Sequence, residues 1–323
     1  MRKYRLMSAA LGVFLISLGS SSANAQIGSG QRVTIFVGFA PGGAADIVAR
    51  LLGSRLSEKL GGANVVIENR AGASGEIAAR LVVNADPTGT SILATTTAVA
   101  VSETLSKDKG YTAKDLRAVS IAARTPDSLV INAANPAMTL KEFVAQSKGK
   151  SITFGSAGVG TSTFVAAAYF FKKFANVEAI HVPFPGGAPA LTALMGGHID
   201  AVAITLPTIV PFVRAGKLRG IAIASDERLK DLPDLPTYQE SGYAGFTTYT
   251  WVGFFISSKA KDDVAGQINA AFNDVLKEPD IRTRLREIGF ESNPAPLAEA
   301  NAQFIDEVKM WGERIHAIGM AAQ

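Results

Sequence analysis

Val33-Thr34-Ile35-Phe36-Val37, then Gly38-Phe39-Ala40-Pro41-Gly42-Gly43-Ala44-Ala45-Asp46, then Ile47, Leu51, Leu52, Leu56 and Leu60 decide the fold of this chain. The first five residues are apolar and β-favouring, so they read as a strand. The glycine and proline segment cannot continue it. The apolar positions that follow recur at three- and four-residue spacing until Gly61-Gly62 stops them, which is the pattern of an amphipathic helix.

The same strand, loop and helix rhythm returns along the chain. Strands are expected at 65–68, 91–95, 152–154, 179–183, 199–204 and 218–224, with helices at 75–84, 163–174, 188–195 and 208–215. Such alternation predicts an α/β protein with mostly parallel sheets. The segments 129–132 and 247–257 read as connectors between two lobes, the second of them following the Pro/Gly-rich stretch 233–245. If both cross a hinge, residues 26–126 and 248–323 form the first lobe, with helices at 262–277, 280–288 and 297–316. Residues 127–247 then form the second.

The 323 residues, 47% hydrophobic and 19% charged, have the make-up of a folded protein of roughly two domains. With no cysteine, a disulfide scaffold, a Cys-ligated metal, a thiol nucleophile and a lipid-modified cysteine are all excluded. The formal charge is +4, but Arg2, Lys3 and Arg5 lie in a segment expected to be removed, and the remainder is close to neutral. Arg282, Arg284 and Arg286 read as a solvated helix face, so nucleic acid is not an expected partner.

That removable segment has a cationic start at 1–5, an apolar run at 6–19 and small residues in Ala23-Asn24-Ala25 before Gln26. It reads as a signal peptide, 1–25, cleaved after Ala25. The apolar run is too short to anchor the chain in a bilayer. A soluble product exported to a bacterial periplasm is expected, without a lipid tether.

Several strand-end loops are suited to an anion. Gly42 and Gly43 lack side chains, so their backbone N–H groups can face a ligand, and the following helix places positive dipole at the same point. Asp46 reads as the residue that caps this helix and orders the loop. The run Asn69-Arg70-Ala71-Gly72-Ala73-Ser74-Gly75 repeats the design, with Ser74 read as an N-cap. Gly155 to Thr163 and Pro185 to Pro189 open two further helices, and Thr95-Thr96-Thr97 add hydroxyls. In open α/β sheets ligands bind at the carboxyl ends of strands, where all of these loops lie.

Catalytic apparatus is not visible. His181, His198 and His316 have no metal-ligand spacing and read as structural, and no metal or cofactor is expected. Gly72 to Glu76 misses a nucleophile elbow because Glu76 stands where glycine is required. Gly149-Lys150-Ser151 misses a phosphate loop because Val144 occupies its first glycine position.

Taken in order, Gly38-Phe39-Ala40-Pro41-Gly42-Gly43 with Asp46, Glu68-Asn69-Arg70, Thr153 to Gly158 with Gly160-Thr161-Ser162, His181-Val182-Pro183 with Gly186 to Leu191, and Arg214 to Arg219 resemble the Bug family. These are the periplasmic receptors of tripartite tricarboxylate transporters, and the resemblance runs from about Val33 to Phe290. It implies a type II-like periplasmic binding protein of two lobes. Each lobe would be a mixed sheet flanked by helices, joined by two hinge-crossing strands. The protein would be a monomer that captures a small carboxylate and delivers it to membrane permease subunits.

The resemblance together with the loop reading places the ligand at Phe39, Ala40, Gly42, Gly43, Ala73, Ser74, Thr95 and Thr96 in the first lobe. Ser156, Thr161, Ser162, Thr163, Ile204 and Thr205 are the second-lobe positions. Three departures stand out: Ser74 where the family loop usually has glycine, Phe164 where members often carry histidine, and Ile204 where many carry aspartate. Lack of that aspartate leaves a ligand ammonium without a partner, so an amine-free mono- or dicarboxylate is expected. Phe39, Phe164 and Phe184 favour an aromatic one such as terephthalate or nicotinate. A ligand-dependent partner of a sensor-kinase ectodomain is the alternative reading, and a hydrolase on the same fold a remote one.

Overall fold

A computed structural model describes residues 27–317 and 319–320. The expected signal peptide, 1–25, lies outside them. Strand β1 (Arg32–Val37) leads into helix α1 (Ala44–Lys59), then β2 (Asn64–Asn69), a 3-10 turn (Ala73–Gly75), α2 (Glu76–Val83) and β3 (Ser91–Thr96). After α3 (Ala98–Leu105) comes β4 (Leu116–Asn132), a strand of 17 residues. Next follow α4 (Leu140–Ser147), β5 (Ser151–Ser156), α5 (Ser162–Tyr169), β6 (Glu178–Pro183), α6 (Gly187–Met195), β7 (Ala201–Thr205), α7 (Leu206–Arg214) and β8 (Leu218–Ile223). The chain ends with β9 (Tyr249–Ser257), α8 (Asp262–Lys277), α9 (Pro279–Glu287), β10 (Glu291–Ser292) and α10 (Leu297–Ala317).

The strands run β2-β1-β3-β9-β4-β7-β5-β6, with β8 and β10 also paired to β4. The pairs β1–β2, β1–β3, β5–β6 and β5–β7 are parallel, and every pair made by β4 or β9 is antiparallel. β4 is the shared strand. Up to Pro126 it pairs with β9, Pro126 facing Tyr249, and from Asp127 onward with β7 and β8. The return crossing passes Thr248, whose N–H donates to Ala224 O while its carbonyl accepts from Asp127 N. Proline is tolerated at Pro126 because the ladder changes partner there.

Apolar burial falls on the two faces of this continuous assembly. One cluster joins Val33, Leu52 and Phe272 to Leu191 and Ile209; the other joins Leu93, Val101 and Phe304 to Phe154 and Phe170. Val48, Leu52 and Leu56 of α1 are fully buried, and burial of each contributes about 1.5–3 kcal/mol.

Three local expectations change. Strand 129–132 is only the end of β4, whose earlier part is masked in the sequence by Arg117, Arg124 and Pro126. The run 98–105, unassigned from sequence, is α3. The single helix expected over 163–174 is α5 followed by a π turn at Phe170–Ala175, which ends at Asn176 in left-handed geometry with φ 47°.

Candidate functional site

The N-termini of α1, α5, α6 and α7 converge on one small cavity. The first half contributes Phe39, Gly43, Ala44, Ala45 and Thr96. Across the cleft stand Ala157, Thr161, Ser162, Thr163 and Gly187, with Ile204, Thr205 and Thr208; Thr250 also lines the space. Each helix start directs unpaired backbone N–H groups and about half a unit of positive dipole toward its end. Among the described residues, neither lysine, arginine nor histidine lines the space. The volume is about 30 Å³, on the scale of one or two water-sized groups.

The loop before α1 shows how the sequence builds its wall. Gly42 has φ +80°, a left-handed turn that suits glycine. Its N–H donates to Asp46 Oδ2 at 2.9 Å, and the Gly43 N–H donates to Ala40 O at 3.4 Å. The two glycine N–H groups expected to face a ligand are thus engaged within the loop, and the free donors begin at Ala44. Asp46 is not the cap residue either. Gly43 holds that position, and Asp46, in the first turn, orders the loop by accepting from Gly42, from Arg50 Nε and from Asn69 Nδ2, each at 2.9 Å. Burial disfavours its charge, but these bonds outweigh it and hold the carboxyl below its usual range.

Of the residues expected from sequence, Phe39, Gly43, Thr96, Thr161, Ser162, Thr163, Ile204 and Thr205 line the cavity. Ala40, Gly42, Ala73, Ser74, Thr95 and Ser156 do not. Two of these, Ala40 and Ser74, make contacts across the cavity instead. Ala40 N–H donates to Pro185 O at 3.3 Å, and Gly160 N–H donates to Ser74 Oγ at 3.0 Å. Ser74 has φ +52° and does not cap α2, whose N-cap is Gly75. Ser156 Oγ meets His181 Nε2 at 2.7 Å, and burial pushes that imidazole down to about 4, so it is neutral at physiological pH.

Two of the three aromatic rings expected around the ligand belong elsewhere. Phe164 packs on His181 with ring centroids 4.2 Å apart, and Phe184 packs beside Gly155. Only Phe39 of the three faces the cavity.

Ala44, Ala45, Ala157 and Gly187 lie in loops singled out from sequence but were not among the expected ligand contacts, and sequence reading missed Thr208 and Thr250, together with Asp127 behind them. Asp127 is buried at the change of ladder, where Thr248 Oγ1 and Thr250 Oγ1 donate to its two oxygens at 2.9 and 2.7 Å. Burial pushes its carboxyl up to about 6, against the two hydroxyl bonds. The aromatic character of 247–257 hid the two threonines, and a lone aspartate carries no spacing signal.

A two-part mixed sheet flanked by helices, with a hydroxyl-lined cavity between the parts, is the fold of periplasmic binding proteins. Residues 48–320 match the tripartite tricarboxylate transporter family receptor, TctC. The chain belongs to that family of solute-binding receptors, as its sequence resemblance implied. It is 32% identical over 290 residues to the UPF0065 protein in the tcbD-tcbE intergenic region of a Pseudomonas species, covering 88% of this chain and 85% of that one. The structure of the periplasmic binding protein BugD superposes with a TM-score of 0.85 at 28% identity, covering 91% of this chain and 99% of that one. MatC from Rhodopseudomonas palustris with bound malate gives 0.81 at 30% identity, over 88% and 99%. An R. palustris protein with adipate gives 0.86 at 27%, over 91% and 99%.

Proposed function

We propose that this chain is an exported receptor that closes its two lobes over a small amine-free carboxylate and presents it to the membrane subunits of a tripartite tricarboxylate-type transporter. The observation that carries the reading is the convergence of four helix N-termini on a cavity without a charged side chain. Backbone donors and dipoles are suited to a carboxylate, and among the described residues no acid lines the space to receive an ammonium. The lobes are 26–126 with 248–323, and 127–247. The hinge lies where β4 changes partner after Pro126 and where the chain returns at Thr248.

An aliphatic acid is favoured over terephthalate or nicotinate, because Phe164 packs on His181 and Phe184 beside Gly155, leaving Phe39 as the one of the three rings that lines the cavity. The malate and adipate held by two structural relatives are of this aliphatic class. Calorimetric titration of the mature protein against aliphatic and aromatic mono- and dicarboxylates, aspartate and glutamate tests the assignment. Stoichiometric binding of an aliphatic acid, with a smaller radius of gyration on saturation, is expected. Binding of aspartate or glutamate alone would reject it.

A further inference from the structure

The hydroxyl groups of the second-lobe wall have a direction, and it follows from counting hydrogens. A carbonyl or an ionised carboxylate only accepts, and a hydroxyl has one hydrogen to give. Thr250 Oγ1 lies 2.7 Å from Asp127 Oδ1, so its hydrogen goes there. Ser162 Oγ lies 2.8 Å from the same Thr250 oxygen. With the threonine hydrogen committed, Ser162 is the donor in that contact. Its lone pairs are what remain for the cavity.

An independent chain gives the neighbouring residue the same polarity. Thr161 Oγ1 donates to Gly158 O at 2.7 Å, and Thr163 Oγ1 lies 3.1 Å from Thr161 Oγ1. Thr163 is therefore the donor there, and it too faces the cavity with lone pairs only. In the first lobe the opposite holds. Thr96 Oγ1 accepts from Ala98 N–H and keeps its hydrogen, beside the free N–H groups at the start of α1.

We propose that Asp127, acting through Thr250, fixes Ser162 as an acceptor, and that Ser162 with Thr163 reads a hydroxyl hydrogen on the ligand's carbon chain. The favoured ligand class is a hydroxycarboxylate: its carboxylate lies at the helix N-termini and its hydroxyl donates to this wall. Asp127 and Thr250 are positioning residues, since neither needs to touch the ligand to set this preference. The inference rests on the carboxylate-receptor reading and deepens it.

The test is calorimetric affinity for matched pairs that differ by one hydroxyl: malate and succinate, citrate and tricarballylate, lactate and propionate. In the unaltered protein, at least one hydroxylated acid should bind about tenfold or more tightly than its partner. Ser162→Ala and Thr250→Val should bring that ratio to within about twofold, and Thr250→Ser, which restores the hydroxyl, should keep it. A general loss of stability would weaken both members of a pair and leave their ratio unmoved. Should Thr250→Val fail to fold, Ser162→Ala decides alone. Equal or tighter binding of the deoxy acid in every pair overturns the inference while leaving a carboxylate receptor standing. A ratio lost in Ser162→Ala but kept in Thr250→Val overturns the role of Asp127. Failure of every carboxylate to bind rejects the receptor reading and this inference together.

Discussion

Ser74 and Gly160 meet across the cleft, the glycine N–H donating to the serine Oγ at 3.0 Å. A methyl group placed at Gly158 would lie 2.5 Å from that same oxygen, so the fit is close as well as polar. The Ser74 hydroxyl is therefore a latch between the halves.

Ser74→Ala removes the latch and keeps the residue in its left-handed geometry. A neutral hydrogen bond contributes about 0.5–1.5 kcal/mol, so ligand affinity should fall by about two- to tenfold with little change in melting temperature. Calorimetry and thermal unfolding check this. Unchanged affinity would show that the contact does not favour closure.

Gly186→Ala addresses the second latch by steric means alone. The added Cβ would stand 3.0 Å from both Ala40 N and Ala40 Cβ, and with φ 166° the backbone itself accepts any residue. The closed form should be destabilised and the open form spared. The expected result is weaker ligand binding and a larger radius of gyration with ligand present, at an unaltered melting temperature without it.

Asp46→Ala deletes the acceptor of three hydrogen bonds and the buried partner of Arg50. A loss of about 1–3 kcal/mol is expected, read by denaturant unfolding, together with weaker binding as the loop before α1 loosens. The folded-state carboxyl titrates below its unfolded value. Its contribution is present above about pH 4 and is lost as pH falls through the lower folded value. The variant should lack that part of the acid destabilisation.

Asp127 acts in the opposite direction. Its carboxyl is raised from 3.8 to about 6, so its protonated form is the one that folding favours. The associated stability is fully present below about pH 4 and is lost as pH rises through 6, an effect of at most about 3 kcal/mol. The difference in unfolding free energy between the unaltered protein and Asp127→Asn should therefore shift by that order between pH 4 and pH 7. A flat difference would refute the placement of a buried, ionisable carboxyl where β4 changes partner.

The alternating layers were legible because apolar periodicity and Gly/Pro punctuation are local signals, as in the run from Val33 to Gly62. β4 was not, because Arg117 and Arg124 interrupt its pattern and Pro126 ordinarily ends a strand. Only the exchange of partners between β9 and β7 makes that proline acceptable. At the site, the loops around Gly43 and Ser162 could be found from sequence since helix starts after strands have their own composition. Which atoms face the cavity could not. The glycine N–H groups looked free until their acceptors, Asp46 and Ala40, were in place. Ser74 looked like a cap until Gly160 stood opposite. Thr250 and Asp127 become neighbours only through long-range pairing, 123 residues apart in the chain.

Because β4 pairs with both parts of the sheet, and both apolar clusters draw on residues from both parts, neither part is expected to fold by itself. A fragment carrying one lobe would present a bare strand edge and severed oily surfaces, an invitation to aggregate. Heat should melt the molecule in a single cooperative event, and engineers wishing to graft this cleft onto another scaffold would have to transplant its spine with it.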